Sequence, residues 1–139
     1  MPTKDKNPRE IGKEKQFRYI YILEIDNLGL KSKFYGMKKI LYVGQTNNLT
    51  TRIKQHISRK NSKFLANNFP NARRKLIYVE TMLCNEWEAI QREKHIKFMD
   101  PYKKEELIRS YKNDLITYIP NKLINIRKID KSGEIVLKL

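Results

Sequence analysis

The chain has 139 residues, and its 30 Lys and Arg against 15 Asp and Glu give a formal net charge of +15. With 40% hydrophobic residues it should form one domain with a real core, and it is too short for two. Its single cysteine, Cys84, excludes an intrachain disulfide and a cysteine-rich zinc site, and favours a reducing, intracellular setting. No stretch approaches the roughly 20 apolar residues of a membrane span, and the charged N-terminus lacks a signal-peptide pattern.

Most of the excess charge lies in one span. Between Asn27 and Val79 the chain has no Asp or Glu but twelve Lys and Arg residues. The composition of an AT-rich genome would account for the lysines, but not for an acid-free run of this length. The span therefore predicts a polyanionic partner, most often nucleic acid. The candidate contacts are Lys38, Lys39, Lys54, Arg59, Lys60, Arg73 and Arg74.

The first predicted elements are a basic arm and two strands. Residues 1–16 have no periodicity and indicate a flexible arm, either a frayed terminus or a DNA contact. Phe17 to Ile25 alternate with apolar residues on both faces, which is typical of a central strand. After a long connection, Ile40 to Val43 form a second strand, most simply antiparallel to the first. That pairing could bring Tyr19 or Tyr21 near Tyr42.

A glycine and a capped helix follow the second strand. Gly44 should allow a sharp turn or the close approach of a ligand. Asn47 and Asn48 are good N-caps, and Leu49, Ile53 and Ile57 recur at helical spacing. Because Arg52 and His56 are four residues apart, they share one face beside this apolar stripe.

The remaining elements are predicted from spacing and capping. We expect a helical turn around Phe64 to Asn67, a strand from Lys75 to Met82 and a helix from Glu86 to about Phe98. In that strand Leu76, Tyr78 and Glu80 should share one face. A further helix should run from Tyr102 to Tyr111 behind Pro101. The predicted organisation is an arm over 1–16, a domain over 17–122 and a C-terminal β-hairpin over 123–139, turning at Asp130 to Gly133.

Glu93 is the one acidic residue on an apolar helix face. It lies three residues after Ile90 and three before Ile96, so it points inward. A buried carboxylate is costly unless it is paired or binds a metal. The first alternative is a structural ion pair with Lys97. The second is a site for a divalent cation, in which the cation and Arg52 neutralise a phosphate while a tyrosine or histidine deprotonates water.

These residues resemble the GIY-YIG nuclease superfamily. Tyr19-Ile20-Tyr21 and Tyr42-Val43-Gly44 look like its paired signature, and Arg52 and His56 fall where members carry an arginine and a histidine. The segment Glu88 to Lys97 is similar to the small stand-alone bacterial branch, whose metal-binding glutamate matches Glu93. The family also has a supporting asparagine, matched by Asn113 or by its rival Asn121.

The resemblance implies an α+β fold in the order β-β-α-β-α-α, with a three-stranded sheet. It implies a DNA endonuclease that uses one Mg²⁺ or Mn²⁺ on Glu93, with Arg52 on the phosphate. Tyr42 or His56 would activate water, Tyr21 would orient the water or the phosphate, and Tyr19, Gly44 and Asn113 would support the site. Within the stretch from Tyr42 to His56, the tyrosine, the arginine Arg52 and the histidine should matter little for folding and greatly for cutting DNA.

Three departures and two alternatives accompany the resemblance. Tyr19 stands where the family name has Gly, the segment Asn27 to Lys39 looks like an insertion, and the stretch from Arg52 to the third strand is longer than in the smallest members. A non-catalytic nucleic-acid-binding protein on the same fold is the alternative function, although the intact catalytic set counts against it. A basic membrane-surface or structural protein gives no account of Glu93. The protein could act as a monomer or as a dimer on DNA, nicking one strand or cutting both.

Overall fold

A computed structural model describes residues 14–26, 39–58, 63–68, 71–110, 116–119 and 122–126. Its centre is an antiparallel five-stranded sheet in the order β2-β1-β3-β4-β5. The strands are β1 (Gln16–Asp26), β2 (Lys39–Thr46), β3 (Arg73–Cys84), β4 (Ile116–Ile119) and β5 (Lys122–Ile126). The helices are α1 (Leu49–Ile57), α2 (Lys63–Asn68), α3 (Glu86–Lys97) and α4 (Pro101–Arg109). No helix of the described residues is long and apolar enough to cross a membrane.

Strand β1 is central because it is apolar on both faces. It pairs with β2 on one side and β3 on the other, as the alternation predicted. Tyr21 faces Gly44 across the first pairing and Val79 across the second. The described side chains of β1 from Ile20 to Leu23 are completely buried. Tyr21 is therefore held in the most enclosed part of the sheet.

The two faces of the sheet carry separate cores. On one face, Tyr21 and Leu23 pack with Leu49 and Ile53 of α1 and with Leu65 of α2. On the other face, the sheet packs against α3 and α4, and the buried residues there include Ile20, Ile22, Val43, Ala89 and Ile96. Helices α1 and α3 thus lie on opposite sides of β1 and β2, and can place side chains around the same part of the sheet.

The fold class was predicted correctly, but the three-stranded sheet was wrong. Strand β4 pairs with β3, and β5 pairs with β4, so the sheet extends beyond the expected edge. The four residues of β4 are too few for their alternation to stand out from a loop. The β4–β5 pair is a hairpin that begins before Leu123, so the predicted boundary between 122 and 123 falls at the start of β5. The predicted turn at Asp130 to Gly133 lies outside the described residues.

An irregularity in the β1–β3 pairing also changes which residues share a face. The register shifts between Ile22 and Leu23, so Leu76 packs with Val79 on the α1 side while Ile77 and Tyr78 pack on the α3 side. The predicted shared face of Leu76 and Tyr78 is therefore wrong. One extra residue in a strand reverses the alternation beyond it, and the sequence carries no sign of where this happens.

Candidate active site

A histidine from α1 joins the two tyrosines of the paired strands. The hydroxyl of Tyr21 lies 3.1 Å from Nε2 of His56. The ring of His56 makes edge contacts with the rings of Tyr21 and Tyr42, each with a centroid distance of 5.8 Å. Because Tyr21 is fixed in β1 and His56 in α1, this contact ties the helix to the sheet. The predicted proximity of Tyr21 to Tyr42 is therefore observed, with His56 between them.

His56 is completely buried, and its burial determines its protonation. Loss of solvent, together with the positive charges of Arg74 and Arg52, lowers the pKa of His56 to about 3. The imidazole is therefore neutral at physiological pH. Its Nδ1 atom is buried without a hydrogen-bond partner among the described residues. A neutral, enclosed imidazole is a weak base, so its geometry suits holding the tyrosines in place better than taking a proton from water.

Arg52 lies in α1 one turn before His56, next to the hydroxyl of Tyr21. Burial raises the pKa of Tyr21, and nearby Tyr42 and Glu93 raise it further, while the charge and a hydrogen bond of Arg52 act to lower it. Tyr21 is fully buried, whereas Tyr42 and Arg52 are only partly buried. Of Tyr21 and Tyr42, Tyr42 is thus the one that solvent or a substrate can reach.

Glu93 approaches the same cluster from α3. Its side chain is partly buried, and this burial raises the pKa of its carboxyl, against the lowering effects of Lys97, Lys94 and Arg52. No cation of the described residues lies within 4 Å of this carboxylate, so the predicted ion pair with Lys97 is not formed. Glu93 therefore lies close enough to Tyr21 to raise the pKa of that phenol, and close enough to Arg52 to interact with its charge, but no ion-pair contact within the described residues neutralises it.

This donor set suits a hard cation held mainly by its substrate. Among the described residues no group of three or more His, Cys, Asp or Glu could hold a metal ion. Mg²⁺ commonly binds through one or two carboxylates and completes its octahedron with water and phosphate oxygens. The single unpaired carboxylate of Glu93 fits that pattern, and it does not fit a closed structural site such as that of zinc.

Gly44 has a different role from the predicted one. It lies inside β2 and is buried, so the strand continues through it to Thr46 and no turn occurs there. A Cβ at this position would lie 2.5 Å from both Cζ and the hydroxyl oxygen of Tyr21. The glycine is required because the Tyr21 ring lies across the backbone of its cross-strand partner. Its bare backbone accommodates a side chain of the protein rather than an approaching ligand.

Several predicted basic contacts are engaged inside the protein. Arg74 is 2% exposed and lies near Tyr118 in the core, so the prediction that it meets nucleic acid at the surface is wrong. Arg73 binds Asp26 through two hydrogen bonds, and Lys39 binds Glu24.

Lys54 is exposed on α1, with no acid of the described residues within 4 Å. Lys38, Arg59, Lys60, Asn113 and Asn121 lie outside the described residues, and partly buried Tyr19 packs against the α1-side core.

The sequence reading missed the groups that surround the site. Arg74 and Tyr118 lie behind His56, and the only signal for Arg74 was its position two residues before the inward Leu76. On the α3 side, Arg92 donates two hydrogen bonds to Glu80, at 2.6 and 2.9 Å, beside Tyr78. Residue 92 precedes Glu93, so this ion pair fixes the helix turn that carries the carboxylate.

The fold and these residues define a site with phenol, guanidinium and carboxylate groups around one accessible corner of a sheet. A family model described as the GIY-YIG catalytic domain matches residues 17–105, which is more than half of the chain. The chain belongs to the GIY-YIG family, as its sequence motifs predicted. Comparisons with curated proteins and with solved structures gave no significant match.

Proposed function

We propose that the protein is a divalent-metal-dependent DNA endonuclease that hydrolyses phosphodiester bonds at the Tyr42–Arg52–Glu93 corner. The family supports a nuclease-type domain. The observation that carries the proposal is the closeness of Glu93 to Arg52 and Tyr21: the carboxylate forms no ion pair within the described residues, yet it lies near enough to both groups for electrostatic interaction. A buried carboxylate with a purely structural role is expected to be paired, because an uncompensated charge in the interior is costly.

Each residue has a role that follows from its exposure. Arg52 would contact a non-bridging oxygen of the scissile phosphate and stabilise the negative charge that develops there. Tyr42, the accessible tyrosine, would take the proton of the attacking water. Tyr21 is too deeply buried to reach water directly, so it would act by helping to position Arg52, whose charge lies near its hydroxyl. His56 would position both tyrosines.

Glu93 would hold Mg²⁺ or Mn²⁺, which when bound supplies Lewis-acid stabilisation of the phosphate and of the leaving oxygen. The raised pKa of Glu93 matters here, because a carboxyl must lose its proton to bind a cation. Metal binding should therefore weaken as the pH falls toward the raised pKa of this group. The positive neighbours Lys94 and Lys97 limit that rise.

Nicking of supercoiled plasmid tests the proposal. The wild-type protein should nick it with Mg²⁺ or Mn²⁺ and not with a chelator, and Arg52→Ala should cut about 10²–10³-fold more slowly. Glu93→Gln keeps the shape of the side chain and should abolish metal-dependent nicking. Glu106→Gln, a matched change at an exposed position of α4, should cut normally. Binding without nicking under every metal condition would instead identify a non-catalytic nucleic-acid-binding protein.

A further inference from the structure

A polar cavity lies beside the proposed catalytic corner and has no role in the chemistry above. It has a volume of about 320 Å³. Its lining residues are all polar or charged: Arg18, Gln45, Thr46, Asn47, Arg52 and Glu86. We refer to it as the Arg18 pocket. Because Arg52 lines this pocket, whatever binds there is in direct reach of the group that we assign to the scissile phosphate.

The pocket is built where three elements end or begin. Arg18 comes from the start of β1, Gln45 and Thr46 from the end of β2, and Glu86 from the first turn of α3. Asn47 precedes Asn48, the N-cap of α1, whose first turn contains no acidic residue. The positive end of the α1 dipole therefore adds to the charges of Arg18 and Arg52. The site is on rigid elements, so its polar groups are held in place before any ligand arrives.

Arg18 has no partner within the described part of the chain that would explain its position. Among those residues its buried Nε atom finds no hydrogen-bond partner, and no acid lies within 4 Å of its guanidinium. This contrasts with Arg73 and Arg92, which each bind a carboxylate through two hydrogen bonds. An unpaired guanidinium in a polar pocket is poised for an anion that comes from outside, and phosphate is the anion that arginine binds most readily.

We propose that the Arg18 pocket binds the DNA phosphate next to the one that is cleaved, with Arg18 as its main contact. This inference rests on the proposed function, because Arg52 connects the pocket to the scissile phosphate. A volume of about 320 Å³ is at the lower end of small-molecule sites, which suits one nucleotide unit rather than a free ion. Two arginines against the single Glu86 leave the lining with an excess positive charge.

Binding of a short duplex in the Glu93→Gln background, where no cutting occurs, is the first test. Arg18→Gln should weaken binding about 10-fold, as expected for a lost charge-assisted hydrogen bond, and reduce the slope of log K against log salt by about 1. Arg18→Lys should restore part of the binding. Lys103→Gln removes the same charge from an exposed position of α4 and should change affinity by about twofold or less at 0.15 M salt. Equal effects of Arg18→Gln and Lys103→Gln would overturn the inference.

Glu86 provides a test in which the expected change in DNA affinity has the opposite sign. A carboxylate beside a phosphate is repulsive, so Glu86→Gln should strengthen binding, and it should do so equally for duplexes of different sequence. The competing possibility is that the pocket reads a base edge, for which Glu86 would accept a hydrogen bond. Weaker, sequence-dependent binding by Glu86→Gln would overturn the phosphate assignment in favour of base recognition.

Neutralising individual phosphates locates the contact. After the nick has been mapped with the wild-type protein, duplexes that carry a single methylphosphonate at one flanking position are bound to Glu93→Gln and to Glu93→Gln with Arg18→Gln. Methylphosphonate at one position adjacent to the nick should weaken binding by Glu93→Gln but not by the double variant. If the methylphosphonate and Arg18→Gln weaken binding independently at every position, so that their fold-losses in affinity multiply, the proposal is contradicted. If the wild-type protein makes no nick, the proposed function fails; if it nicks and Arg18→Gln has an unchanged KM, only the pocket inference fails.

Discussion

Gly44 and Tyr21 are a single structural unit at the residue scale. The ring of Tyr21 covers the glycine so closely that a methyl group there would overlap it, and the Tyr21 hydroxyl is in turn held by His56. Tyr21 and His56 are both 0% exposed and lie in the packed interior. The burial of His56 argues against the expectation that it matters little for folding, because removing its ring would leave a cavity in the core.

Replacing Gly44 by Ala should destabilise the protein by about 1–3 kcal/mol, the usual cost of overpacking a core. The same change should slow DNA cutting, because the displaced Tyr21 ring no longer holds Arg52 and His56. Urea unfolding measures the first effect and plasmid nicking the second. In a Tyr21→Leu background, which removes the ring, Gly44→Ala should cost much less free energy. A cost that is equal in both backgrounds would show that the ring contact is not the cause.

His56 should make stability depend on pH. In the folded protein its pKa is lowered from 6.5 to about 3, so above pH 6.5 both folded and unfolded states carry it neutral. As the pH falls below 6.5, the unfolded chain binds a proton that the folded protein does not, and the free energy of unfolding decreases. Between pH 7.5 and pH 5.0 the loss due to His56 should be about 2 kcal/mol.

Urea unfolding of the wild-type protein and of His56→Gln at several pH values isolates this component. The carboxylates contribute equally to both proteins, so the difference between the two pH slopes belongs to residue 56. Parallel slopes would mean that His56 is protonated in the folded protein or that it is not buried. The absolute stability of His56→Gln does not enter the comparison.

Helix α3 is the element that carries the carboxylate, and both its start and its orientation are fixed. Asn85 caps it reciprocally: Oδ1 of Asn85 accepts from the amide of Glu88 at 2.8 Å, while Oε1 of Glu88 accepts from the amide of Asn85 at 3.0 Å. Farther along, Arg92 binds Glu80 of β3. These two constraints, about two helical turns apart, oppose sliding or rotation of the helix and so hold Glu93 over the sheet.

Asn85→Ala should destabilise the protein by about 1 kcal/mol through loss of the cap. Asp100→Ala is the matched control, because Asp100 precedes α4 but makes no side-chain cap hydrogen bond. It should therefore cost clearly less in thermal or urea unfolding. Asn85→Asp keeps the acceptor oxygen and should retain most of the stability. Equal losses for Asn85→Ala and Asp100→Ala would contradict the reading of Asn85 as a functional cap.

At the scale of the whole molecule, the net charge of +15 is not available in full to a partner. Glu24 and Asp26 of β1 contact Lys39, Arg73 and Lys75 of the neighbouring strands. The acid-free span of the sequence is thus partly neutralised by acids that lie just before it. Helix α1, which contains Lys54 and begins beside the Arg18 pocket, keeps its positive charge.

DNA binding should therefore depend steeply on salt but unequally on the basic residues. If six or more phosphates are contacted, affinity should fall roughly 10³-fold or more between 50 and 200 mM salt. Lys54→Gln should weaken binding and reduce the salt slope, whereas Arg73→Gln should mainly cost stability, because Asp26 already binds that guanidinium. Titrations at several salt concentrations measure both. A larger binding loss for Arg73→Gln than for Lys54→Gln would contradict this assignment.

Local patterns predicted the parts of the fold that depend on neighbouring residues in the chain. The alternation of β1, the caps at Asn48 and Asn85 and the spacing of Arg52 and His56 are visible in the sequence, and each is found. Strand β4, the register shift near Ile22 and the burial of Arg74 were not predicted. Each of these depends on what lies opposite a residue in a different strand, and no pattern within one segment encodes that.

The sequence by itself determined the family, the central strand and the residues that carry the proposed chemistry, because signature motifs and periodicity are local. Only the tertiary structure decided how those residues divide their roles. It buried Tyr21 and His56, left Tyr42 and Arg52 within reach of solvent, and made Gly44 a space for a ring rather than for a ligand. Burial and protonation depend on the packing of α1 and α3 against both faces of the sheet. That packing is a property of contacts between segments distant in the chain.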